Sequence, residues 1–60
     1  MRTIYSLFYF DKEANGWECE STYNTRKEAQ EDAQALYGKK KRILKHDANM
    51  PFVDVMAMLK

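Results

Sequence analysis

The sequence predicts a single small α+β domain, residues 1–60: a three-stranded sheet of order 2-1-3 with β-β-α-β topology, followed by a short C-terminal helix. Three observations predict it. Two aromatic and β-branched stretches near the N-terminus alternate with period two; a capped segment over 25–37 carries apolar side chains at helical spacing; and a second apolar segment follows Pro51. Sixty residues, 45% of them apolar, hold one domain and no more. Such a chain buries only about 60% of the surface its unfolded form exposes, which leaves little room for an enclosed substrate cavity.

Residues 3–10 predict strand β1. Ile4, Phe8 and Phe10 fall on one face and Tyr5, Leu7 and Tyr9 on the other, so both faces need cover, as in a central strand. Residues 11–16 predict a polar loop ending in Asn15-Gly16, a pair suited to positive φ. Strand β2 follows over 17–23, with Trp17, Cys19 and Tyr23 inward and Glu18, Glu20 and Thr22 outward. A two-residue turn at Asn15-Gly16 would oppose Glu18 to Glu13 and Glu20 to Asp11, and like charges destabilise a ladder. The longer loop sets Trp17 against Phe10 and Cys19 against Phe8, and this is the expected register.

Thr25 followed by Glu28 matches a capping box, with Asn24 a competing cap, and opens helix α1 over 25–37. Its stripe is Ala29, Ala33, Leu36 and Tyr37, and Gly38 stands where a left-handed C-terminal residue belongs. Residues 40–46 predict β3, with Ile43 and Leu44 as anchors among charges, the composition of a short edge strand. A β3 parallel to β2, reached by α1 crossing over β1, puts the most apolar strand in the centre. Pro51 suits the first turn of the last helix, in which Phe52, Val55, Met56 and Leu59 form a stripe that Val53 and Met58 widen. So broad an apolar arc needs cover on more than one side.

Several function classes are unsupported. No apolar run nears the roughly 20 residues that cross a bilayer, and no secretory leader pattern is legible; the lone Cys19 offers no intramolecular disulfide. The expected location is cytoplasmic, with no membrane partner. One His, one Cys and no Gly-rich phosphate loop predict neither a metal site, a cofactor, a small-molecule substrate nor catalysis. No Ser/His/Asp grouping is evident, and the strand order separates His46 from Cys19 by β1.

What remains is surface. Residues 1–37 carry −3, residues 38–46 carry +5 with no acid, and residues 47–60 carry −1. Lys39, Lys40, Lys41, Arg42 and Lys45 suit a phosphate backbone, or merely a solvated edge strand at a helix C-terminus. Tyr5 and Tyr9 resemble exposed aromatics on which RNA bases stack, yet Glu18 and Glu20 share their face and would repel phosphates. Aromatics mixed with acids better suit a protein partner; the structural alternative lays the C-terminal helix over Tyr5, Leu7 and Tyr9. Phe52, Val55, Met56, Met58 and Leu59 offer a methionine-rich apolar helix to a target or to a second protomer as a homodimer. The expectation is a non-enzymatic binding protein, an inhibitor or adaptor that occupies a protein surface. In size and style it is similar to the accessory proteins phages use against host machinery. Nucleic-acid binding through 39–45 is the alternative.

Overall fold

The computed structural model describes residues 2–59. In chain order it contains β1 (Thr3–Asp11), β2 (Gly16–Tyr23), α1 (Arg26–Ala33), β3 (Lys41–Asp47) and α2 (Phe52–Ala57). The sheet has the order β2-β1-β3, with β1 antiparallel to both neighbours, so β2 and β3 run parallel to each other on its two sides.

The hairpin adopts the charge-avoiding register. Phe10 opposes Trp17, Phe8 opposes Cys19 and Asp11 opposes Gly16. Residues 12–15 make the turn: Asp11 Oδ1 accepts from the Glu13 N–H at 3.0 Å, and Asn15 takes the positive φ, 53°. Beyond Cys19 the strict alternation fails. Leu7 opposes Ser21, so Glu20 is the extra residue of a β-bulge. Unbroken pairing would oppose Glu20 to Leu7 and hold Tyr23 on the Ile4 side. The bulge spares Leu7 a carboxylate neighbour and corrects the expected facing of Tyr23, which now opposes Tyr5 and donates from its hydroxyl to Asp32 of α1 at 2.8 Å.

Thr25 caps α1: its Oγ1 accepts from the Glu28 N–H at 3.2 Å and donates to Glu28 Oε1 at 3.0 Å. The helix ends at Ala33, short of the expected Tyr37. Ala35 N–H donates to Asp32 O and Leu36 N–H to Ala33 O, a tightened final turn, and Gly38 at φ 73° turns the chain toward β3. The short helix already spans the three strands. Continuing it would carry the chain past the point where Lys40 O accepts from the Phe10 N–H. Tyr37 thus leaves the predicted stripe and stands 85% exposed.

The two helices divide the faces of β1. Leu7 and Phe8, both fully buried, point to opposite sides. On the Leu7 side lie α1, with Ala29 fully buried, and Tyr5, over which Arg26 sits. On the Phe8 side, Val55 and Leu59 join Phe8 and Leu44, bordered by Trp17, Cys19, Met50 and Met56. The alternative that lays the C-terminal helix over Tyr5, Leu7 and Tyr9 is therefore excluded, since Val55 and Leu59 pack on the Phe8 side. Both faces of β1 were apolar enough to receive it, but the bulge and the Tyr23–Asp32 bond commit the Leu7 side to α1.

Phe8→Ala should cost about 3–5 kcal/mol, about all that a core this small supplies. Circular dichroism should find that variant largely unfolded at 25 °C. Val53→Ala, on the outer side of α2, should shift the urea midpoint by no more than about 0.5 kcal/mol equivalent.

Candidate protein-docking surface

A six-residue helix on a small sheet presents only a narrow stripe inward. In α2 the stripe is Val55, with Leu59 just beyond the helix, and both are buried. Met56 is half-buried. Phe52 is 59% exposed even with its ring centroid 6.3 Å from that of Phe8, Val53 is 72% exposed and Met58 41%. Arg42 Nη1 donates to the Leu59 carbonyl at 3.1 Å and ties the end of this segment to β3. The outward apolar side chains are thus held on an anchored element.

Of the residues expected to form a protein-binding face, Leu7, Val55 and Leu59 lie in the interior, which removes them from any docking surface of this fold. Tyr5 is half-buried with the Arg26 guanidinium carbon 5.4 Å from its ring centre, and Tyr9 has Lys39 Nζ at 4.6 Å. These cations occupy the ring faces on which a base would stack. Glu18 opposes Tyr9 directly and, like Glu20, is exposed. Among the described residues, then, the expected set divides: Phe52 on α2 and Met58 just past its end are exposed, and Tyr9, Glu18 and Glu20 lie on the opposite side of the sheet. Of the five cations, Arg42 is engaged with Leu59, and Lys39, Lys40, Lys41 and Lys45 are exposed.

One pairing escaped sequence reasoning. Ser6 opposes Leu44 and His46 opposes Ile4, a diagonal that brings Ser6 Oγ within 2.6 Å of His46 Nε2. His46 Nδ1 lies 2.9 Å from the Asp47 carbonyl oxygen. A carbonyl only accepts, so Nδ1 carries the hydrogen and, in the neutral ring, Nε2 accepts from the Ser6 hydroxyl. A serine beside a histidine is a nucleophile's geometry, but both side chains are more than nine-tenths buried and a backbone carbonyl stands where a triad places a carboxylate. The arrangement satisfies two buried polar groups. Only the β1–β3 register exposes the pair.

The local field is acidic around β2. Partial burial, then Glu18, Glu20 and Asp11, push the Tyr9 phenol up; burial and the bond to Asp32 do the same for Tyr23. Burial and then Glu20 push the Cys19 thiol up. Among the described residues, no cluster of His, Cys, Asp or Glu could hold a metal, and no helix is long and apolar enough to cross a membrane.

Two outcomes are expected. A raised phenol favours its neutral form in the fold, so the contribution of Tyr9 and Tyr23 is intact below pH 10.0, their ordinary value, and is lost as pH rises beyond it. Thermal melts should hold steady to pH 9 and fall from about pH 10, less steeply in Glu18→Gln/Glu20→Gln. Ser6→Ala should cost about 1–3 kcal/mol by orphaning His46 Nε2, while Ser6→Ala/His46→Phe should recover most of the loss, read by urea unfolding. In comparison with known proteins, no family model matches the chain, and no similar curated protein or solved structure was found.

Proposed function

We propose that this chain is a non-enzymatic binding protein that occupies a surface of a partner protein in the cytoplasm, as an inhibitor or adaptor in the style of phage accessory proteins. The supporting observation is the outer side of α2, where Phe52, Val53 and Met58 remain exposed while Val55 and Leu59 anchor the element. Apolar side chains grouped on one short helix mark interaction sites more often than scattered ones do, and aromatic and methionine side chains carry much of the energy of such contacts. The partner presents an apolar groove. Self-association as a homodimer through the same side chains is the simplest variant of this reading.

The second reading, nucleic-acid binding through Lys39, Lys40, Lys41, Arg42 and Lys45, has the exposed cations of β3 in its favour. The cations already seated on Tyr5 and Tyr9 weigh against base stacking and leave only phosphate contacts.

A photo-crosslinking residue at position 53 should capture a discrete protein product in native lysate after nuclease treatment, and one at exposed position 27 should not. Phe52→Ala/Val53→Ser/Met58→Ser should keep the circular dichroism spectrum and lose that product, with affinity for the purified partner lowered by about 100-fold or more. A covalent dimer alone would establish the self-association variant. A product removed by nuclease, with binding that weakens steeply with salt, would replace this reading with the second.

A further inference from the structure

The ladder decides which backbone groups of β3 are free. Phe10 N–H donates to Lys40 O at 2.9 Å and Ala48 N–H to Arg2 O at 2.8 Å, one at each end of a register that opposes Tyr9 to Lys41 and Thr3 to Asp47. Antiparallel pairing alternates, so Arg42, Leu44 and His46 turn their N–H and C=O groups to β1, while Lys41, Ile43 and Lys45 turn theirs to the open side. Among the described residues these outward groups have no protein partner. The open edge closes at Asp47, whose carbonyl already takes the Met50 N–H and His46 Nδ1.

From Lys39 to Lys45 the charged side chains of this edge are all basic, and the first carboxylate is Asp47, where the edge closes. Lys41 and Lys45 are exposed, and a groove of about 450 Å³ is lined by Arg26, Ala33, Lys39, Lys41, Arg42 and Ile43; because the Arg42 guanidinium goes to Leu59 on the other face, the α1 side of the groove holds three cations, Arg26, Lys39 and Lys41, and no carboxylate. The opposite edge, β2, is interrupted by its bulge and carries Glu18 and Glu20.

We propose that the open edge of β3 receives an extended acidic peptide segment as a fourth strand. Its backbone bonds to Lys41, Ile43 and Lys45, and its alternate Asp or Glu side chains lie in the basic groove beside α1. The row of free backbone donors and acceptors is complementary to another peptide backbone, whereas a phosphate chain would use only the cations. A second copy is a poor occupant: antiparallel β3 against β3 centred on Ile43 would oppose Lys41 of one copy to Lys45 of the other. The lysines that block self-pairing thus select for an acidic strand. This edge is separate from the outer side of α2, so its failure leaves that reading standing.

Amide hydrogen exchange at low ionic strength tests the proposal, with three probes: a seven-residue peptide alternating Glu and Thr, its Lys and Thr counterpart, and a single-stranded oligonucleotide. The acidic peptide should slow exchange at Lys41, Ile43 and Lys45 by about tenfold or more at saturation, with the basic peptide inert. Lys41→Glu/Lys45→Glu should weaken the acidic peptide by roughly tenfold or more and gain the basic one. Where that variant does not match the parent circular dichroism spectrum, Lys45→Gln should weaken the acidic peptide in the same direction. Unchanged exchange at the three amides, protection already present in the dilute free protein, or binding of the oligonucleotide but not of the acidic peptide would each overturn it.

Discussion

Leu7 and Phe8 are neighbours in β1, point to opposite faces of the sheet, and are both wholly withdrawn from water. A strand that must be dry on both sides obliges a sixty-residue chain to build two covering layers, and among the described residues two short helices serve the purpose. Burying one such side chain contributes about 1.5–3 kcal/mol, a large share of the stability a domain this size reaches. The order β2-β1-β3, the early end of α1 and the inward turn of Val55 and Leu59 all serve those two residues. The exposure of Phe52, Val53 and Met58 follows from the same constraint, because a one-layer helix cannot hide an apolar arc that broad.

Charge is arranged around the sheet so that each edge resists its own copy. Glu18 and Glu20 mark β2, and Lys41 and Lys45 mark β3. The bulge at Glu20 also keeps a carboxylate away from Leu7 and delivers Tyr23 to Asp32 on α1. A single inserted residue therefore contributes to edge protection, to the dryness of one face and to the seating of the helix.

The layout was legible where short-range chemistry decided it. The hairpin register followed from the like-charge pairs that a tight turn would create, and the start of α1 from Thr25 and Glu28. The bulge was not legible, since Glu18, Glu20 and Thr22 read as an uninterrupted polar alternation and the reason to break it, Leu7 beneath α1, is tertiary. The end of α1 was hidden for a similar cause: Leu36 and Tyr37 fit helical spacing, but the chain must descend to Lys40. Which helix covers which face of β1 could not be read from a strand apolar on both. Of the candidate surface, the apolar breadth of the tail was readable, but its division into buried Val55 and Leu59 and exposed Phe52, Val53 and Met58 depended on where α2 lands. The Ser6–His46 diagonal needed the β1–β3 register.

The seating of α2 is the point on which both the core and the proposed docking surface turn. Methyl and aromatic NOE spectroscopy of the isotopically labelled protein, with a soluble paramagnetic agent added, measures it directly. With α2 seated in this way, NOEs run from the Phe8 ring to the methyl groups of Val55 and Leu59, and the Val53 and Met58 methyls broaden strongly. NOEs from Phe8 to Val53, or uniform broadening across residues 52–59, would contradict it.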